Sequence, residues 1–285
     1  MDEQLSAFIV NALHEDIGSG DFSSLACIPP EAEGNANLLI KESGVIAGIR
    51  IAKAIFSYVD NSVNFLQYIN DGSLVQKGDI AFMVTGKSQS ILKAERLLLN
   101  VMQRMSGIAT ETARYVEKIK GTGAKILDTR KTTPGIRFLE KEAVRLGGGT
   151  NHRMGLYDMI MLKDNHIDFA GGIRQAIIKT NRFLKSRNLS LKIEIECRNF
   201  KELDEILDTG NIDRIMLDNF TPEETLKAVK LIDGSYEIES SGGIVLENIR
   251  DYAECGVDFI SVGALTHQIK SLDMSLKASL SNHDN

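Results

Sequence analysis

Apolar and polar positions along the chain follow two different rhythms. The first hundred or so residues open with an amphipathic stretch, Leu5 to Leu13, that runs into the turn-rich segment Glu15-Asp16-Ile17-Gly18-Ser19-Gly20-Asp21. Short β-like runs follow at Asn37–Ile40, Val45–Gly48, Val63–Leu66 and Ile80–Val84, punctuated by Gly34, Gly44, Gly72, Gly78 and Gly86. Asp71-Gly72 and Lys77-Gly78-Asp79 read as tight turns. From Ser90 to about Lys120 the spacing becomes helical, with Ile91, Leu92, Leu98, Leu99, Val101 and Met102 forming an apolar face.

Beyond Gly123 a strand-then-helix unit repeats. The strand-like segments are Lys125–Asp128, Met159–Lys163, Leu191–Glu196, Arg214–Asp218, Tyr236–Ser240 and Phe259–Gly263. From Glu196 onward their ends fall about 22 residues apart, a workable βα repeat for an α/β barrel. Earlier ends are about 35 apart, which leaves room for a long loop. Each apolar run stops at a polar or small residue: Asp128, Lys163, Glu196, Asp218, Ser240 and Gly263. In α/β barrels the C-terminal strand ends and the loops after them build the active site. Any one such residue simply marks where a strand leaves the core. Acids and bases gathered at the same set of ends point to a site.

Composition narrows the class. At 285 residues, 43% apolar and 25% charged, the chain is that of an ordinary globular protein with a substantial core. Its 33 basic and 39 acidic residues leave a net charge of −6, which repels nucleic acid and acidic membrane, so an anionic ligand needs a local cationic pocket. Cys27, Cys197 and Cys255 are odd in number and lack zinc-ligand spacing, so reduced cysteines are expected. The opening Met1-Asp2-Glu3-Gln4 is acidic where a secretory signal is basic, and no apolar run reaches membrane-spanning length. A cytoplasmic location is the expectation.

The cationic pocket has a candidate. Asp128-Thr129-Arg130-Lys131-Thr132-Thr133-Pro134-Gly135, Gly147-Gly148-Gly149-Thr150-Asn151-His152-Arg153 and Lys163-Asp164-Asn165-His166 place cations beside glycines. Arginine forks match carboxylates and phosphates, lysine supplies a point charge, and glycines let backbone amides approach an anion. Ser241-Gly242-Gly243 and Gly263-Ala264 form two further loops after late strands, where barrels commonly hold a phosphate. Glu196 and Asp218 end adjacent strands; they suit a magnesium ion, a developing cation or a structural role. His152 beside Arg153 suits a carboxylate or a proton transfer, whereas His14, His166, His267 and His283 show no metal-ligand spacing.

These motifs, together with Glu95-Arg96-Leu97-Leu98-Leu99-Asn100, Ser106-Gly107-Ile108-Ala109-Thr110, Leu217-Asp218-Asn219-Phe220 and Glu239-Ser240-Ser241-Gly242-Gly243, resemble the quinolinate phosphoribosyltransferase family. The match runs in order from Glu15-Asp16 to about Leu276. The resemblance implies an N-terminal α/β sandwich and an incomplete α/β barrel of about seven strands, the type II phosphoribosyltransferase-like fold. It divides the chain into a sandwich with its linking helix (1–110), a barrel (111–270) and a C-terminal segment returning toward the first domain (271–285). The implied reaction joins quinolinate to 5-phosphoribosyl-1-pyrophosphate with magnesium, giving nicotinate mononucleotide, pyrophosphate and carbon dioxide, a step of de novo NAD synthesis. By resemblance Arg130, His152, Arg153 and Lys163 clamp the two quinolinate carboxylates, with Arg96 supplied by the partner of a homodimer whose active sites are shared; some members form hexamers. Lys131 and Lys163 face the phosphates of the second substrate, Glu196 and Asp218 its ribose and the metal, and Ser241, Gly242, Gly243, Gly263 and Ala264 its 5-phosphate.

Three other readings remain open at this stage. One is a protein of the same fold with a different acceptor. Another is a Schiff-base lyase using Lys163, and the third is a non-catalytic binding protein that kept the pocket.

Overall fold

The computed structural model describes residues 3–279. It divides into two compact units. The first takes the chain as far as Ala113, adds Thr133–Gly148 and resumes at Gln268; the second is Arg114–Thr132 with Gly149–His267.

The first unit begins with helices α1 (Glu3–Ile17) and α2 (Phe22–Cys27), followed by strands β1 (Glu33–Ile40) and β2 (Gly44–Val45). Helix α3 (Ile49–Val59), strands β3 (Asn64–Gln67), β4 (Leu74–Val75) and β5 (Ile80–Lys87), and the long helix α4 (Ser88–Lys118) complete its first pass. In α4, Ile91, Ala94, Leu98, Met102, Met105 and Ala109 recur every three or four residues and are all buried, one continuous face. Neither α2 nor α3 is evident from the sequence pattern. Helix α3 carries Ile49, Ile51, Ile55 and Phe56, side chains that favour strands in isolation; burial of its apolar face decides for helix. The motif Ser106–Thr110 is structural. The Ser106 and Thr110 hydroxyls accept the N–H groups of Ala47 and Val45, both at 2.9 Å, and tie α4 to the turn before α3.

In the second unit, strands β6 (Lys125–Leu127), β7 (Ile160–Leu162) and β8 (Ile193–Cys197) alternate with helices. Between β6 and β7 the chain makes helix α5 (Arg137–Leu146), which belongs to the first unit. This differs from the sequence expectation that 111–270 forms one domain. The reason lies in Arg104 and Thr133: Glu140, 1% exposed, accepts Arg104 Nε at 2.7 Å and the Thr133 N–H at 3.1 Å. After β7 come α6 (Asp164–Ala170) and α7 (Ile173–Arg187); after β8, α8 (Phe200–Thr209), β9 (Arg214–Asp218) and α9 (Pro222–Ile232). The unit closes with β10 (Glu237–Ser241), α10 (Ile249–Glu254), β11 (Phe259–Ser261) and α11 (Ala264–His267), and the chain ends its described part as β12 (Met274–Ser279).

Strand order is β12-β1-β5-β3 in the antiparallel sheet of the first unit. The second unit has six parallel strands in the order β6-β11-β10-β9-β8-β7. Pairing of the last strand with the first is barrel connectivity, and the sheet stays open beside β7. Thr150 forms a single parallel bridge to Leu127, on the free side of β6, where a seventh strand would stand. All six barrel strands coincide with the apolar runs read from the sequence.

Alternation along these strands sorts the chemistry. In β8, Ile193, Ile195 and Cys197 share one face, Glu194 and Glu196 the other. In β9, Arg214, Met216 and Asp218 share a face, and in β10, Glu237, Glu239 and Ser241. Register pairs Glu194 with Arg214, Glu196 with Met216 and Asp218 with Ser241. The interior is therefore layered: Glu194, Arg214 and Glu237 low, Glu196, Met216 and Glu239 in the middle, and Asp218 and Ser241 at the C-terminal rim.

Candidate active site

A cavity of about 300 Å³ opens at the C-terminal end of the parallel strands. Its walls carry Arg130, Lys131, Arg153 and Lys163, its far side Ser241 and Ser261, and its floor His152, Met161, Met216 and Glu239. Four cationic side chains around one cavity of a chain with net charge −6 make a local anion site.

Asp128, fully buried just after β6, organises one wall. Its carboxylate accepts the His152 N–H at 2.8 Å and Asn151 Nδ2 at 2.6 Å, so the loop after β6 and the Asn151–Arg153 segment are fixed to each other. The Lys131 carbonyl accepts the Thr266 hydroxyl at 2.8 Å. Gly263 permits this approach: a Cβ there would lie 3.4 Å from Lys131 Cδ and 3.0 Å from His267 Nε2. Arg153 is half-buried, and burial together with the Arg130 charge lowers its pKa. Like charges crowded in this way are relieved by an anionic ligand.

At the rim, Lys163 Nζ lies 3.1 Å from Glu196 Oε2, whose second oxygen accepts the Asp164 N–H at 3.4 Å. His166 accepts the Lys163 N–H through Nδ1 at 3.1 Å, so it shapes the start of α6 and does not line the cavity. Asp218 is half-buried; burial first, then the Glu196 charge, raises its pKa above the usual carboxylate range. Asn219 Nδ2 donates to Asp218 Oδ2 at 2.7 Å, and the Asn219 N–H donates to the Ser241 carbonyl at 2.8 Å. Two carboxylates on neighbouring strands, one of them raised by the charge of the other, suit a hard divalent cation, and their oxygen donors fit magnesium.

Gly242 is required in this arrangement. Its φ is +94°, and an added Cβ would fall 2.3 Å from Asn219 Oδ1. Replacing Gly242 by Ala is expected to push Asn219 aside and release Asp218, lowering kcat about tenfold or more. Gly243 has φ +61° but open space around its Cβ position, so Gly243→Ala is expected to have the smaller effect in the same steady-state assay.

Of the residues singled out from the sequence, Arg130, Lys131, His152, Arg153, Lys163 and Ser241 line the cavity. Glu196 and Asp218 sit at its rim through Lys163 and Ser241. Gly242, Gly243, Gly263 and Ala264 follow the ends of β10 and β11. Arg96 is exposed on α4 of the first unit and is not part of this lining.

Beneath the cavity lies a buried charged layer that sequence reasoning missed. His152 Nε2 is 2.9 Å from Glu194 Oε2 and 3.3 Å from Glu239 Oε2. Arg214 Nη1 reaches Glu239 Oε2 at 3.3 Å, its Nη2 reaches Glu237 Oε2 at 3.1 Å, and its guanidinium stacks 3.9 Å from the Phe259 ring centroid. Both Glu194 and Glu239 are fully buried. Burial and the Glu239 charge push Glu194 up to about 7. Glu239 also resists ionisation through burial, but its contact with His152 brings it below the usual range. For His152, burial opposes the charge; the two carboxylates outweigh it and raise the imidazole to about 9. The available signal was charge at alternate positions of apolar runs, as in Ile193-Glu194-Ile195-Glu196, which places acids on an interior face.

A parallel barrel sheet with an anion cavity at its C-terminal strand ends, faced by cations and two carboxylates, defines an α/β-barrel enzyme for anionic substrates. Residues 21–106 match the family model of the quinolinate phosphoribosyl transferase N-terminal domain, and residues 108–277 that of its C-terminal domain. The chain is 46% identical over 288 residues to the chloroplastic nicotinate-nucleotide pyrophosphorylase [carboxylating] of Arabidopsis thaliana, covering 96% of this chain and 82% of that one. It is 42% identical over 279 residues to a probable nicotinate-nucleotide pyrophosphorylase [carboxylating] of Bacillus subtilis (strain 168), covering 98% and 95%. The crystal structure of NadC from Streptococcus pyogenes superposes with a TM-score of 0.92 at 38% identity, covering 97% of this chain and 96% of that one. The chain belongs to the quinolinate phosphoribosyl transferase family.

Proposed function

We propose that this protein transfers the phosphoribosyl group of 5-phosphoribosyl-1-pyrophosphate to quinolinate with decarboxylation, forming nicotinate mononucleotide, pyrophosphate and carbon dioxide. The observation that carries the reading is the convergence of Arg130, Arg153 and Lys163 on one cavity whose floor is apolar methionine and charge-balanced glutamate. A pyridine with two adjacent carboxylates needs that combination: cations at short range for the carboxylates and a flat apolar surface for the ring.

In this reading Lys131 and Lys163 face the phosphates of the second substrate. The backbones of Ser241, Gly242, Gly243, Gly263 and Ala264 hold its 5-phosphate. Glu196 and Asp218 would hold the magnesium ion, which supplies charge neutralisation for the departing pyrophosphate. Loss of that group leaves cationic character at the ribose C1, which the same two carboxylates stabilise. The pyridine nitrogen, held in line by the arginine clamp, then forms the bond to C1. With that nitrogen quaternary, the adjacent carboxylate departs as carbon dioxide, its electron pair remains on the ring carbon beside the positive nitrogen, and a proton replaces it.

A homodimer in which Arg96 enters the partner's site, hexamers built from such dimers and a cytoplasmic location belong to the same reading. Leu156, Tyr157 and Phe169 are 71, 73 and 90% exposed, apolar surface of the kind a second subunit covers. No helix among the described residues is long and apolar enough to cross a membrane.

The test is product formation from phosphoribosyl pyrophosphate and magnesium, with quinolinate or nicotinic acid as acceptor. Nicotinate mononucleotide from quinolinate alone is the expected result. Product from neither acceptor, with both ligands still bound, would favour an enzyme of the same fold acting on another acceptor.

A further inference from the structure

The buried layer beneath the cavity has no role in the reaction as derived so far, yet it places Glu239 in the floor of a pocket for a dianion. A fully buried carboxylate there repels such a ligand unless a cation stands between them. His152 stands at that point, and in the form that accepts Arg153 through Nδ1 it presents an Nε2–H to the carboxylates. Its Nε2 lies against Glu194 and Glu239 from above, while Arg214 meets Glu239 from the lower strand position of β9. Arg214 is shared between Glu239 and Glu237, so His152 is the basic side chain that meets Glu194 and Glu239 together.

The second ring nitrogen has a different neighbour. Nδ1 of His152 accepts the Arg153 N–H at 2.6 Å. That bond and a proton on Nδ1 exclude each other, so Nδ1 serves as acceptor for the clamp's backbone when unprotonated and as a donor when protonated. Nε2, facing two carboxylates, keeps its proton in either case.

We propose that Glu239, anchored by Arg214, and Glu194 are positioning residues for the dicarboxylate clamp: they engage His152 Nε2 from below, fix the ring and its tautomer, and leave Nδ1 alone to address Arg153 or an incoming carboxylate. The proposal rests on the function proposed above and adds residues that act through His152. Without the two carboxylates, the His152 ring would lose both groups against its Nε2 and would be free to change tautomer or turn away.

The experiment compares Glu239→Gln, Glu194→Gln, His152→Asn and the double variant Glu239→Gln/His152→Asn in the intact protein. Glu239→Gln is expected to raise the quinolinate KM about tenfold while changing the phosphoribosyl pyrophosphate KM less than twofold. A merely structural lesion lowers the amount of active enzyme and moves kcat instead. Because Glu239 acts through His152, the double variant is expected to bind quinolinate as His152→Asn does, with no further loss. Nitrogen NMR of histidine-labelled protein, assigned with His152→Asn, reads the lock without substrate: Nε2 stays protonated in the wild type, and Glu239→Gln shows tautomer exchange. If Glu239→Gln does not fold, Glu194→Gln carries both readouts, since its carboxylate lies at 2.9 Å. An unchanged His152 resonance, or fully additive losses in the double variant, overturns the proposal. Wild-type protein that ignores quinolinate overturns the proposed function instead, and the NMR result still decides whether the glutamates hold His152.

Discussion

Arg153→Ala is expected to lower kcat/KM for quinolinate about a thousandfold, the largest single effect among the clamp residues. A thousandfold corresponds to about 4 kcal/mol, within the range for truncating one partner of a buried, hydrogen-bonded charge pair. Burial is what separates the three clamp cations. Arg153 is half-buried and has its pKa lowered by that burial and by Arg130, so it works where water screens least. Arg130 is exposed, and Arg130→Ala is expected to cost roughly ten- to thirtyfold, as charge-assisted hydrogen bonds in more screened positions do. Arg153→Lys keeps the charge but loses the fork, so it should fall between these values. The measurement is steady-state kinetics with each substrate varied in turn. A loss confined to quinolinate supports the clamp; equal losses for both substrates would refute it.

The second large effect is expected at the rim. Glu196→Gln and Asp218→Asn should each lower kcat about a hundredfold and shift the magnesium dependence to higher concentrations, and chelation of the metal should abolish turnover of the wild type. Glu196 is 6% exposed and bonded to Lys163, so its neutralisation also frees a lysine that faces phosphates. Asp218 depends on Asn219 for its orientation. The two losses are expected to combine less than additively, because both carboxylates serve one ion and one developing charge. A magnesium titration of each variant separates the roles. If kcat falls while the magnesium dependence stays put, the carboxylates act on the ribose and the metal lies elsewhere.

The barrel was legible in the sequence because a parallel strand buried on both faces is a short apolar run, and each run here stops at a polar or small residue. Asp128, Lys163 and Asp218 were found in this way, and the cationic loops after them followed from charge density alone. The layer below was not legible for the same reason. Glu194 and Glu239 interrupt apolar runs, and only strand register shows that the interruption faces His152 and Arg214. Those partners come from three separate strands and a loop, a pairing that no local window contains. Helix α3 was missed because its isoleucines carry no clear helical signal, and helix α5, read within 111–270, packs with the first unit through Arg104–Glu140, a long-range pair. The carboxylate clamp and the shared dimer site rested on family resemblance, and the strand ends offered Glu196 and Asp218 as a pair with its role left open. Spacing alone gave the barrel and its anion pocket, not the reaction.

The edge strand β12 has a consequence for how the molecule is made. It pairs along β1 from Asn35↔Ser279 to Ile40↔Met274, so the antiparallel sheet joins almost the earliest and the latest segments of the chain. During synthesis the strands of the barrel leave the ribosome before the first unit has its last strand, and at about 5–20 residues per second that interval lasts many seconds. Until then β1 has an open side, exposed to other nascent chains. A chain cut between β11 and β12 would keep every strand of the parallel sheet and leave β1 with an unpaired side.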